Sequence, residues 1–226
     1  MADLKQLEKQ LGVQFKKPAL LAQALIHRSY LNENRQIKQS NERLEFLGDS
    51  VLSILTSTAL FDRFPSFPEG QLTNLRSALV RAKTLSQLAK DLRLGEYLQM
   101  SRGEEKSGGR ENESLLADTF EAVLGAIYLD QGLPAANLII EKFLLPLINK
   151  IEREESIYDY KSKLQETTQQ QTKVSPVYQV TSESGPDHNK IFSVGVYLAK
   201  KLLATGQGRS KQEAEQEAAK LALAKL

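Results

Sequence analysis

Five carboxylates in this 226-residue chain are spaced so that they could act together. Glu42, Glu45 and Asp49 fall at i, i+3 and i+7 within Asn41-Glu42-Arg43-Leu44-Glu45-Phe46-Leu47-Gly48-Asp49-Ser50. Helical periodicity puts them on one stripe. Asp118 and Glu121 fall at i and i+3 and are the acids in the middle of a strongly apolar stretch, Leu115 to Tyr128. Acids are costly in so apolar a helix unless they are paired or bind metal. Crowded like charges raise each other's pKa unless something positive compensates. The sequence offers Arg43 beside the first stripe, and a divalent cation would compensate better. The plainer alternative is a solvated face or a structural ion-pair network. The apolar neighbours Leu44, Phe46, Leu47, Val51, Leu52 and Ile54 weigh against it, because they predict a largely buried helix.

Composition narrows the chemistry. There is no cysteine, which excludes disulfide frameworks, thiolate zinc sites and cysteine nucleophiles. The two histidines, His27 and His188, are too far apart in sequence to suggest a histidine metal cage. Any metal must therefore sit on oxygen, which favours Mg²⁺ or Mn²⁺. The start of the chain is polar and shows no signal-peptide core, and no apolar run approaches the roughly 18 residues of a membrane span. The default expectation is a cytoplasmic protein with no membrane partner.

The elements that must position these acids can be read in outline. Leu4, Leu7 and Leu11 predict a short helix ending near Gly12, and Pro18 opens a second with Leu20, Leu21, Ala24 and Leu25 on its apolar face. His27 follows, either acting in a site or hydrogen-bonded at a helix end, the second being the commoner arrangement. Residues 32–40 read as a loop. The central helix runs from about Asn41 to Phe61 and is stopped by Phe64-Pro65-Ser66-Phe67-Pro68. Further helices are expected from Glu69 to Val80 and from Lys83 to Leu92. Ser101 to Asn112 reads as a polar loop whose Arg102, Lys106 and Arg110 could touch phosphates. The helix bearing Asp118 and Glu121 ends at Gly132 and Pro134, and one more, Ala135 to Ile151, has Leu138, Ile139, Phe143, Leu144 and Leu147 as core positions.

The pattern then changes. After a charged, aperiodic stretch, residues 159–171 read as a helix, Val177 to Thr181 and Asn189 to Leu198 as alternating strands, and Lys200 to Thr205 as a third strand. Gly185-Pro186-Asp187-His188 and Gly206-Gln207-Gly208 read as turns. Ser210-Lys211-Gln212-Glu213 matches a capping box opening an Ala-rich helix. Charge divides with the pattern: residues 1–157 carry 20 Lys+Arg against 21 Asp+Glu, and residues 158–226 carry 10 against 7. A mildly basic second domain suits a polyanionic partner.

The segment Asn41 to Leu52 resembles the signature of the ribonuclease III family. The likeness extends to Ala24-Leu25-Ile26-His27-Arg28-Ser29-Tyr30, to Glu69-Gly70 with Leu72, and to Leu116-Ala117-Asp118-Thr119-Phe120-Glu121-Ala122. The second part resembles a double-stranded RNA-binding domain through Tyr160 to Glu166, Gly185 to His188 and Gly208 to Glu215. The resemblance implies an α+β chain: an all-α endonuclease domain at 1–152, a linker at 153–157, and an α-β-β-β-α RNA-binding domain at 158–226. It implies a homodimer that cuts both strands of duplex RNA, with 5′-phosphate products and short 3′ overhangs, in the processing of ribosomal, messenger and transfer RNA.

Carried over by motif position, Glu45, Asp118 and Glu121 would hold Mg²⁺, with Mn²⁺ as a substitute. Asp49 and Glu121 would be catalytic. Glu42 at the edge of the cluster and Glu69 reaching toward it would face substrate or support the ligands. Phe46 would enter a pocket on the partner subunit, or else be a core residue. Gln165, Glu166, Pro186, His188, Arg209, Ser210 and Lys211 would contact RNA. Gln212 stands where relatives often carry a second lysine. The chemistry agrees: phosphodiester hydrolysis needs an activated nucleophile and relief of developing charge, and a carboxylate-held divalent cation supplies both. A non-catalytic duplex-RNA-binding protein is the alternative, disfavoured because all five acids are present.

Overall fold

The computed structural model describes residues 3–154, 160–186 and 190–226. Two compact units divide the chain, Met1–Ile151 and Glu152–Leu226.

The first unit is helical. In order it comprises α1 (Leu4–Leu11), α2 (Pro18–Ala24), α3 (Tyr30–Glu33), α4 (Glu42–Arg63), α5 (Glu69–Val80), α6 (Ala82–Asp91), α7 (Leu94–Tyr97), α8 (Arg102–Lys106), α9 (Glu113–Ile139) and α10 (Ile148–Glu154). The cause of each boundary is local. Asp3 caps α1 by accepting from the Lys5 N–H, and Gly12 ends it in the left-handed region at φ 79°. Pro18 stands at the start of α2, where its missing N–H costs nothing. Asn112 caps α9 by accepting from the Leu115 N–H. Gly132, at φ 81° and ψ −176°, kinks α9, and the helix resumes beyond it through Pro134. A π-helical turn at Ile140–Leu144 leads on toward α10.

The core is the seam between α4 and α9, with α2 and α6 laid against α9. Leu44, Val51, Leu52 and Leu60 of α4 meet the buried wall of α9, which includes Leu116, Phe120, Val123, Leu124 and Ile127. Both helices are long and apolar enough in mean hydropathy to cross a membrane. The expectation of no such stretch counted unbroken apolar runs, which the acids and serines interrupt. Here the apolarity serves the seam instead.

Several expected features differ. Ile54 and Leu138 are exposed, not core. The expected loop 101–112 holds α8, capped by Ser101, and a 3₁₀ turn at Gly109–Glu111. Arg110 is not free for phosphate: its guanidinium donates to the Gly95 and Leu98 carbonyls and pairs with Glu105.

The second unit runs α11 (Tyr160–Thr172), β1 (Val177–Ser184), β2 (Ile191–Leu198), β3 (Lys201–Gly208) and α12 (Lys211–Leu223). The sheet is antiparallel in the order β1-β2-β3. Leu164, Val196, Ala204, Ala218, Ala219 and Ala222 form its core. Gly206 and Gly208 belong to β3 and not to a turn. A Cβ at Gly206 would stand 2.2 Å from the Ala218 nitrogen, so glycine lets α12 lie directly on the strand. The alanines of α12 serve the same close approach. The Ser210 side chain caps α12 by accepting from the Glu213 N–H, and the Glu213 carboxylate reaches back to the Arg209 N–H, one residue beyond the usual capping-box partner.

Candidate active site

The two acid-bearing helices touch backbone to backbone at Gly48 and Gly125, so the stripes seen in the sequence come from adjoining surfaces. One carboxylate oxygen each from Glu45, Asp118 and Glu121 lies within 4.8 Å of the others. All three side chains are half-buried. That separation suits ligation of one oxygen-loving cation and is too close for three uncompensated charges.

The electrostatics carry the same message. Burial raises the Glu121 carboxyl to about 8, with Asp49, Asp118 and Glu45 adding to the shift. Burial, then Asp118, Glu42 and Asp49, raise Glu45. Burial raises Asp118, and His27 opposes it. Among the described residues, the site is an acid cluster whose members chiefly repel one another.

Its surroundings sort the other expected residues. Asp49 is exposed at the lip and acts on Glu45 and Glu121 through its charge. Glu42 is exposed, accepts from the Ser40 hydroxyl at 2.7 Å and faces Arg28 at 3.4 Å. Glu69 does not reach the cluster of its own chain. It accepts from Thr73 and lines a cleft with Ser57, Thr58, Leu60, Phe61, Leu72 and Arg76. Ser57 lies about 18 Å along α4 from Glu45 at the helical rise, too far for a glutamate to span. Phe46 is 78% exposed, which removes the core alternative.

His27 is the neighbour that sequence reasoning left outside. Its Nδ1 lies 2.8 Å from the Ser29 hydroxyl and also faces the Ser29 N–H, while Ser29 Oγ accepts from the Ser101 N–H. The helix-end reading of this histidine holds, and its charge also acts on Asp118. Its position, more than ninety residues before Asp118, gave no sequence signal of that proximity.

In the second unit Gln165 and Glu166 stand exposed on α11, and Pro186 is exposed beyond β1. Arg209, Ser210 and Lys211 cluster at the start of α12, all exposed. His188 lies outside the described residues, as do 155–157 of the expected linker.

Comparison with known proteins gives the same division. The Ribonuclease-III-like family model matches residues 17–148, and the Double-stranded RNA binding motif matches residues 160–226. A protein named Ribonuclease 3 from Dehalococcoides mccartyi strain CBDB1 is 46% identical over 224 residues, 99% of this chain and 94% of its own. Another of that name from Streptococcus gordonii is 48% identical over 215 residues, covering 95% and 92%. Among solved structures, the nuclease domain of the Campylobacter jejuni enzyme superposes with a TM-score of 0.58 at 41% identity, covering 66% of this chain and 96% of that one. A second structure of that domain is described as flexible in a region involved in dimer formation.

Proposed function

The chain belongs to the ribonuclease III family of endonucleases acting on double-stranded RNA, and we propose that it is a Mg²⁺-dependent homodimer that hydrolyses both strands of duplex RNA. In this reading the products carry 5′-phosphates and short 3′ overhangs, and the substrates are precursors of ribosomal RNA and structured messenger and transfer RNAs in the cytoplasm. The nuclease domain spans 1–152, the linker 153–157 and the RNA-binding domain 158–226.

The observation that carries the proposal is the convergence of Glu45, Asp118 and Glu121 on one point in a half-buried site. Their donor set fits a hard divalent cation: oxygen ligands only, mutual repulsion, and carboxyl pKa values raised by burial. Bound there, Mg²⁺ or Mn²⁺ supplies a water acidified toward neutrality and relief of charge on the scissile phosphate. The protein's part is positional. Glu45, Asp118 and Glu121 would hold the ion. Asp49, at the solvent edge, would accept a hydrogen bond from a water at the site and orient it together with Glu121. Glu42 faces substrate. The glycine contact between α4 and α9 fixes the spacing of the ligands.

The dimer reading rests on α4. Phe46, Ile54 and Phe61 are 78%, 56% and 70% exposed, and at 3.6 residues per turn they lie within about 80° of one another. A two-fold antiparallel pairing of α4 centred near Ile54 buries this stripe. It sets Phe46 into the partner's cleft of about 380 Å³, lined by Leu60, Phe61, Leu72 and Arg76 among others. Glu69 lines that cleft, so in the dimer the partner subunit's Glu69 arrives at the Phe46 end of α4, beside the acid cluster. For RNA, Gln165 and Glu166 face one minor groove, Pro186 and His188 the next, and Arg209, Ser210 and Lys211 the phosphates between.

The test is incubation of a long perfect RNA duplex with Mg²⁺, with Ca²⁺, and with excess chelator. Cutting to short duplexes with 5′-phosphates in Mg²⁺ alone is the expected result. Binding without cutting under every metal, Mn²⁺ included, would reject the proposal.

A further inference from the structure

An ion cluster in the RNA-binding unit joins Lys211, a phosphate contact in the function proposed above, to Lys190 and Glu183, which have no role there. Strand pairing sets Glu183 of β1 opposite Phe192 of β2. Two lysines from different elements converge on that pair. Lys190 Nζ, just before β2, lies 2.9 Å from Glu183 Oε2, and Lys211 Nζ, in the first turn of α12, lies 3.8 Å from Oε1. The same two ammonium groups sit over the Phe192 ring at 5.9 and 5.8 Å from its centroid. One carboxylate thus occupies, between two cations, the place that a phosphate's non-bridging oxygens would take.

We propose that Glu183 is a built-in competitor for the RNA phosphate at Lys211 and Lys190, and that it holds the affinity of this unit for duplex RNA below what its lysines alone would give. The proposal rests on the reading of the start of α12 as a phosphate contact.

The opposite role, in which Glu183 strengthens binding by ordering the lysines, is outweighed. The contact to Lys211 is long at 3.8 Å and leaves that side chain 60% exposed, so it orders little. Repulsion between the carboxylate and an arriving phosphate acts over a Debye length of about 10 Å at 0.1 M salt. The carboxyl titrates below its usual range, chiefly through its hydrogen bond with Lys190, so it is charged at neutral pH. The residue after Lys211 is the uncharged Gln212, so no second cation stands beside it at this helix start. Both features lower affinity at one location, and weaker holding speeds release of cut duplex, a step that limits many enzymes.

The experiment measures anisotropy of a labelled perfect RNA duplex with the full-length chain in chelator, at low and high salt. Glu183→Gln is expected to tighten binding about two- to fivefold at low salt, with the gain fading at high salt. Glu183→Ala should shift affinity in the same direction, and thermal melting of both variants should match the parent. Glu217→Gln, which removes a carboxylate paired with Lys220 elsewhere on α12, should leave affinity unchanged. In a Lys211→Met background most of the Glu183→Gln gain should disappear. Unchanged or weaker binding by Glu183→Gln, or equal tightening by Glu217→Gln, would overturn the proposal. If Lys211→Met itself binds like the parent, the phosphate reading of α12 fails, and the competitor role falls with it. Loss of affinity in Lys211→Met with no gain in Glu183→Gln removes the competitor role alone.

Discussion

Gly48 of α4 and Gly125 of α9 face each other so closely that a Cβ on the first would stand 1.8 Å from the Glu121 carbonyl oxygen, and a Cβ on the second 2.2 Å from that of Leu44. The obstacle in each case is backbone, which cannot swing aside. The residues flanking this contact are the candidate ligands themselves: Glu45 is three positions before Gly48, and Glu121 is four before Gly125. The contact therefore sets how far apart the two acid-bearing stripes stand.

Gly48→Ala or Gly125→Ala should force the helices apart. A destabilisation of about 1–3 kcal/mol is expected from overpacking. Displacing the ligands by even an ångström should lower cleavage by about a hundredfold. Thermal melting and single-turnover cleavage of a duplex measure the two effects. Parent-like cleavage by both variants would refute the positioning role.

Glu121→Ala should abolish cutting while leaving RNA affinity intact. A loss of about 10²–10⁴-fold in rate is expected for a positioned acid–base group, and more if metal binding goes with it. Calorimetric titration with Mn²⁺ separates the two outcomes, and anisotropy with labelled duplex checks that the RNA-binding unit is unaffected.

The metal-free protein should lose stability as pH rises from about 4.5 toward 8. Glu121 has its folded-state carboxyl raised from 4.5 to about 8, and Glu45 and Asp118 are raised as well. Across that window the folded state binds more protons than the unfolded state, so the slope of stability against pH is negative. A divalent cation replaces those protons. The rise in melting temperature on adding Mg²⁺ should therefore be larger at pH 8 than at pH 5. Equal shifts at the two pH values would mean that the cation does not meet this cluster.

Phe46→Glu should convert a dimer into monomers, read by sedimentation velocity. Its ring is largely in water in the single chain, so folding of the isolated subunit should be unchanged. Cleavage should fall with dissociation if the partner subunit's Glu69 completes the site. A Phe46→Glu protein that stays dimeric would refute the pairing of α4 about Ile54.

Local chemistry made much of this molecule readable without coordinates. The helix punctuated by Pro65 and Pro68, the cap at Ser210 and the alternation through Val194 and Val196 depend on neighbours within a few residues. So does the placing of Glu42, Glu45 and Asp49 on one stripe, because helical periodicity is a property of the segment itself. Gly206 and Gly208 resemble turn residues in the sequence for the converse reason. Glycine signals a turn by default, and only α12 packed on β3 reveals that it makes room for another backbone.

Sequence alone determined which acids could act together, that oxygen ligands were the available metal chemistry, and that an all-α part precedes an α-β-β-β-α part. Tertiary structure decided that the two stripes meet, with Glu45, Asp118 and Glu121 within 4.8 Å, through a glycine contact between segments some seventy residues apart. It placed Phe46 and Ile54 in solvent, seated Glu69 on a cleft remote from the cluster of its own chain, and brought His27 to Asp118 and Glu183 to Lys211. The reason is range. Periodicity and capping are fixed by covalent neighbours, whereas packing of helix on helix and registry of strand on strand depend on the shape of distant surfaces that no local pattern encodes.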